Sequence, residues 1–207
     1  GVVGVSEFWF KYAQLEQKPY ATSFIDGTRL GILKAPTTGL SPSQGTISLR
    51  AKNLSASANG SVLIDLPKSD NTQGILAGIS SATGHEGEIF ITDSTTTAYG
   101  PNKSTLTAWD SISLAWKSDR LSLVVNDTEA CYIENPGLPT ALGSHVFIGT
   151  DRNGANAINT LVDELRIDKV YRDVATRTGW HKAGVPFYTS EDMKQWPGYM
   201  KLETDGL

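Results

Sequence analysis

Acidic side chains are the first candidates for chemistry in this chain. Two carboxyl groups about 5–5.5 Å apart on one face of a strand hydrolyse a glycosidic bond with retention. Neighbouring residues of a strand point to opposite faces, so such a pair sits an even number of positions apart. Glu88 and Asp93 flank Ile89 to Thr92 with odd parity, Asp163 and Glu164 are adjacent, and Asp65 stands alone in its run. None of these meets the spacing, and no Ser, His and Asp set with an oxyanion turn accompanies them. Catalysis is therefore not expected, and a glycan-cleaving enzyme resting on Glu88 or Glu164 is kept as a third reading. Cys131 is the only cysteine and lies in the strand-like run Ala130-Cys131-Tyr132-Ile133, where it reads as a small buried apolar residue. His85, His145 and His181 are far apart, and no paired-cysteine, His-Glu-x-x-His or glycine-rich phosphate motif occurs.

Binding without catalysis asks for different residues. Sugar rings stack on exposed aromatic faces while planar polar groups fix their hydroxyls. Phe90 falls out of phase with Ile89 and Ile91, and Tyr99 and Trp109 lie at loop ends, so these three are candidate platforms. Trp116 shares the phase of Ile112 and Leu114 and is assigned to the core. Arg50 and Arg120 have the reach to meet an anionic glycan. The polar loop Asp151-Arg152-Asn153-Gly154-Ala155-Asn156 is long enough to recognise a ligand, and Asp151, Arg152 and Asn153 join the candidates.

The elements that must position these residues are strands. From Trp109 to Asn126 bulky Ile112, Leu114, Trp116, Leu121, Leu123 and Val125 alternate with small or hydroxylated residues, and Lys117-Ser118-Asp119-Arg120 forms the bend. This is a hairpin with one core face and one serine-bearing face that is expected to be open to water. Two strands are marginal alone, so a second layer must cover the apolar side. Further strands are expected at Glu7–Glu16, Tyr20–Ile25, Thr46–Lys52, Ser61–Leu66, Gly74–Ile79, Glu88–Thr92, Ala130–Ile133, His145–Gly149 and Thr160–Ile167. Leu54–Gly60 and Asp93–Ser104 read as loops, Asp173–Arg177 as one helical turn, and Ser190–Trp196 as a short helix. Many short strands, turn signals between them and no long helical period describe an antiparallel two-sheet β-sandwich or barrel.

A net charge of -4 offers no basic field for nucleic acid, and no run of about 18 apolar residues exists to enter a membrane. The chain begins at Gly1 without a basic-then-apolar leader, which reads as a processed protein or part of a longer one. A globule of 207 residues buries roughly 70% of its unfolded surface, enough for one large all-β domain without disulfides.

The runs Trp109–Lys117, Leu121–Asp127, Val146–Thr150 and Leu161–Ile167, in that order and spacing, resemble the laminin-G-like and concanavalin A-like jelly rolls. The resemblance covers about Thr28 to Arg177. It implies an all-β jelly-roll sandwich over 28–177, with an N-terminal strand segment at 1–27 and an aromatic-rich connector at 178–207. It also implies that one structural calcium ion is to be weighed, with Asp26 and Asp163 as candidate oxygen ligands; against it, Asp26-Gly27 is a turn and Asp163 caps a strand or pairs with Arg166. The flanks Gln14–Arg29 and Pro186–Asp192 resemble segments around such domains in minor structural and tail-fibre proteins of bacteriophages and prophages. That likeness implies a non-catalytic virion tail component, extracellular or cytoplasmic before assembly, whose partners are a host cell-surface glycan and other fibre chains, homo-oligomers included. A structural spacer that oligomerises the fibre is the alternative.

Overall fold

Alternation of bulky and small residues builds eleven strands in the structure, a computed structural model that describes residues 33–53, 60–103, 109–158 and 160–182. All of these fall within one compact unit, Ile32–Thr189. In chain order the strands are β1 (Leu33–Pro36), β2 (Gln44–Asn53), β3 (Ser61–Leu66), β4 (Ile75–Ile79), β5 (Glu88–Thr92), β6 (Thr97–Asn102), β7 (Asp110–Lys117), β8 (Arg120–Val125), β9 (Thr128–Glu134), β10 (His145–Ile148) and β11 (Thr160–Asp168), followed by helix α1 (Val174–Lys182). They form two antiparallel sheets, one of order β1-β10-β3-β4-β5-β6 and one of order β11-β2-β7-β8-β9. The fold is the two-sheet jelly-roll sandwich expected from the sequence.

The expected hairpin is β7–β8, with Lys117 paired to Arg120 across its turn. Its bulky side enters the core, where Ile112, Leu114, Trp116, Leu121 and Leu123 meet Ile64, Leu66, Ile75, Ile79, Ile89 and Ile91 of the facing sheet. Side chains of two inner faces interdigitate in a layer about 10 Å thick. Trp116 is fully buried and its Nε1 donates to the Ser41 carbonyl at 3.2 Å, so the indole is core, as its phase requires.

The other side of the hairpin is not open to water. Ser48, Ser113 and Ser122 are buried, and the two hydroxyls of Ser48 and Ser113 lie 2.7 Å apart. The chain after β11 crosses this face: Thr46 Oγ1 donates to the Val170 carbonyl, and the Arg172 N–H donates to Thr46 Oγ1, each at 2.9 Å. α1 then brings Arg177, 1% exposed, onto the serines. Its Nη1 donates to the carbonyls of Ser113 (2.8 Å) and Ser122 (3.2 Å), and its Nη2 to Ser122 Oγ. The expectation failed because small hydroxylated residues suit close approach of a covering segment as well as they suit water. α1 is also longer than the single turn expected at 173–177. Asp173 caps it by accepting the Thr176 N–H at 2.7 Å.

Two strands escaped the alternation rule. β6 carries Gly100 and Pro101 and reads as loop, but it is an edge strand, where a missing N–H costs no ladder bond. Gly100 allows β6 to close against β9, since a Cβ there would lie 2.7 Å from the Ala130 carbonyl oxygen. β1 is four residues long, ends at Pro36 and forms the opposite edge of the same sheet. The strands expected at Glu7–Glu16 and Tyr20–Ile25, most of the Leu54–Gly60 loop, and the helix expected at Ser190–Trp196 lie outside the described residues.

Candidate functional site

The outer face of the six-stranded sheet carries a groove of about 360 Å³ across β3, β4, β5 and β6. Register explains its shape. Val62 pairs with Gly78, Gly78 with Phe90 and Phe90 with Tyr99, making one transverse row. Leu76, Thr92 and Thr97 make the next. Gly78, in the middle of the first row, has no side chain, and a Cβ built there would lie 3.1 Å from the Phe90 ring and 2.4 Å from the Ser61 carbonyl oxygen. The Phe90 ring therefore leans over bare backbone, and the trough beside it is walled by Val62 and Leu76. Gln73, Ser80, Ser81, Asn156 and the two threonines supply the polar rim.

A second planar group reinforces the aromatic row. The His85 ring stacks on Tyr99 with centroids 3.8 Å apart and planes 4° from parallel, and Tyr99 lies 6.3 Å from Phe90 at a 42° tilt. His85 Nδ1 is 2.8 Å from Glu88 Oε2. The turn that presents His85 is bracketed by Gly84 and Gly87, both at positive φ, a conformation glycine adopts without penalty.

The structure brings two of the candidate platforms together, Phe90 and Tyr99, and leaves the others elsewhere. Trp109 is 36% exposed just before β7, with the Arg50 guanidinium 5.8 Å from its ring. Arg120 is engaged by Glu129 through Nη2–Oε2 (2.7 Å) and Nε–Oε1 (3.3 Å), and it covers the Tyr132 ring at 4.0 Å. The bond to Glu129 raises its pKa, against the effect of burial. Asp151 shapes its own loop: Oδ1 accepts the N–H groups of Asn153 and Ala155, and Oδ2 accepts Asn156 Nδ2, each at 2.9 Å. Arg152 donates its backbone N–H (2.8 Å) and Nη1 (2.9 Å) to Oδ2 of Asp65. Asp65 is fully buried, its pKa is raised by burial against the opposing pull of Arg152, and its Oδ1 has no hydrogen-bond partner among the described residues. Asn153 is an exposed loop residue. From this loop it is Asn156, held at φ 52°, that reaches the groove.

Sequence reasoning missed His85 and Asn156. The Gly84-His85-Glu86-Gly87 bracket is a signal for the first, because it marks a tight turn entering β5. Nothing in the sequence singles out Asn156 from the five polar or small residues before it.

Among the described residues no carboxylate lines the groove. Glu88 is held by His85, and Asp93 is buried at the end of β5, where it accepts the N–H groups of Thr95, Thr96 and Gly137. Asp26 lies outside the described residues. Asp163 is paired with Arg50 beside a bulge in the β11–β2 ladder, and its side chain is not among those described; Arg166 Nε donates to Asp168 Oδ2 at 3.0 Å. Among the described residues no three His, Cys, Asp or Glu side chains gather as a metal site needs, so they offer no carboxylate cage for calcium. No helix among them is long and apolar enough to cross a membrane.

Solved structures share this architecture. A heptameric SAP-like pentraxin from Limulus polyphemus is similar at TM-score 0.53 and 15% identity over 67% of this chain and 69% of that one. Domain 4 of the extracellular arabinanase AbnA from Geobacillus stearothermophilus, in complex with arabinotriose, is similar at TM-score 0.55 and 15% identity over 72% and 71%. A putative carbohydrate binding protein from Bacteroides ovatus is similar at TM-score 0.54 and 15% identity over 71% of this chain and 43% of that one, so this chain spans less than half of its length. No curated protein matches. The family model of laminin G type, described as the concanavalin A-like lectin/glucanases superfamily, matches residues 26–174, and the chain belongs to that family.

Proposed function

We propose that this chain is a non-catalytic carbohydrate-binding module and that the groove over β3–β6 is its site. The observation that carries the reading is the Phe90–Tyr99 pair lining the groove, extended by His85 stacked on Tyr99 and ringed by hydroxyl and amide side chains. An aromatic face packs against the C–H face of a sugar, and uncharged planar and hydroxyl groups match its alcohols. The family and the sugar-bound arabinanase domain support the same class of ligand. The lack of a paired carboxylate among the described residues of the groove supports binding over cleavage.

Glycan-array screening followed by calorimetric titration of the best ligand tests this. Phe90→Ala or Tyr99→Ala should weaken binding at least about tenfold. Tyr132→Ala, on the other sheet, should not. Equal affinity of Phe90→Ala and wild type would overturn the site.

The module also reads as part of a phage or prophage tail fibre, displayed on the virion and directed at a host cell-surface glycan. Support comes from the likeness of segments 14–29 and 186–192 to those that flank such domains. Mass spectrometry of purified virions from the source organism tests it, and absence of the chain from every particle preparation would count against it.

A further inference from the structure

Charge is a property that divides glycans sharply, and the described lining of the groove carries none. The thirteen described residues that line it include no Lys, Arg, Asp or Glu. The Arg152 guanidinium is bound to buried Asp65, whose strand neighbour Leu76 lines the groove. Lys68, in the loop after β3, is turned to Ser94 Oγ at 3.3 Å. Beyond Tyr99, the Glu88 carboxylate is engaged by His85 at 2.8 Å, and Glu86 Oε2 accepts the Gly84 N–H at 3.0 Å.

We infer that the groove selects uncharged glycans and rejects those bearing carboxylate or sulfate, with one sugar ring seated in the groove against Phe90. This rests on the groove being the sugar site, as proposed above. The physical reason is one of accounting for partners. An anionic sugar placed over Phe90 loses water and finds, among the described lining residues, hydroxyls and amides but no Lys or Arg. A neutral ring loses only hydroxyl hydration, which Thr92, Thr97, Gln73 and Asn156 can replace. Selection thus comes from what the walls omit, which is discrimination against the wrong ligand more than attraction of the right one.

The test uses the full chain on an array holding neutral hexose and pentose oligosaccharides together with sialic-acid-, uronic-acid- and sulfate-bearing ones. The best neutral ligand is then titrated beside a derivative carrying one added carboxylate. The expected result is binding of the neutral form, weakened at least about tenfold by the added charge. Its affinity should change by less than about twofold between about 0.1 M and 1 M salt. Phe90→Ala should weaken binding at least about tenfold, with Tyr99→Ala as the second probe should the first fail to fold. Thr97→Lys, at an exposed position on the groove edge, should narrow the gap between the two ligands. Preference for acidic glycans that is still lost in Phe90→Ala or Tyr99→Ala would overturn the inference and leave the groove as the site. Binding that survives both variants, or no glycan bound at all, would overturn the site itself and the inference with it.

Discussion

Replacing Arg177 by alanine probes the least expected contact in the fold. This guanidinium is 1% exposed and lies over the serine-bearing face of β7 and β8, where it donates to two carbonyls and one hydroxyl. Burial lowers its pKa, a sign that desolvation opposes the charge, and Tyr171 and Glu129 partly offset that. Bonds from a charged donor contribute about 1.5–3 kcal/mol each in favourable settings, but here the desolvation of the cation subtracts from the sum. Truncation also removes the stem that fills the space between α1 and the sheet. A net loss of about 2–4 kcal/mol is expected, which for a domain of this size lowers Tm by roughly 5–15 °C. Arg177→Lys keeps the charge without the planar fork and should fall between the two. Thermal and urea unfolding followed by circular dichroism measure this. Glycan affinity should not move, because the groove is on the opposite sheet. A melt within about 1 °C of wild type would refute the docking of α1 over the serines and restore that face to solvent.

Two further outcomes follow from buried groups. Burial alone would raise the Asp93 pKa, but the hydrogen bonds from Thr96, Thr95 and Gly137 outweigh it and hold the carboxylate below its ordinary value. A lowered folded-state pKa means stability that is complete above the unfolded value near ~3.9 and lost as pH falls through the folded one. Asp93→Asn should therefore be less stable at neutral pH by about 1–2 kcal/mol and show a flatter loss on acidification, as read from urea midpoints between neutral and acid pH; an unchanged acid slope would contradict the assignment. Cys131 is 6% exposed with its thiol pushed up to about 12 by burial, so thiol reagents at pH 8 should label it only on unfolding, and rapid stoichiometric labelling of the native chain would show the opposite.

The strands were legible wherever a bulky residue recurred at every second position, as in Ile47-Leu49-Ala51 and Ile112-Leu114-Trp116, because a buried face admits no slip of register. β6 was not, since its Gly100 and Pro101 answer to an edge and to the close approach of β9, neither of which leaves a periodic mark. Phase alone identified Phe90 as facing away from the core. That Tyr99 lies directly across from it, and that Gly78 lies on its other side and leaves room for its ring, depends on the pairing of strands that a single sequence does not state. Arg120 and Arg152 looked available because a cation's partner is invisible in sequence; Glu129 and Asp65 already hold them. The serine face misled for a related reason: polarity was read as solvation, whereas Arg177 lies 64 residues from one partner and 55 from the other.

The two rims of the six-stranded sheet have a consequence for how many copies could be arrayed. Pro36 closes the short strand on one rim and Pro101 interrupts the other, so at both places the backbone has no hydrogen to offer an incoming chain. Neighbouring molecules are thereby discouraged from zipping together into one continuous ribbon along these margins. A cluster of such modules would therefore be joined elsewhere than along these two described margins.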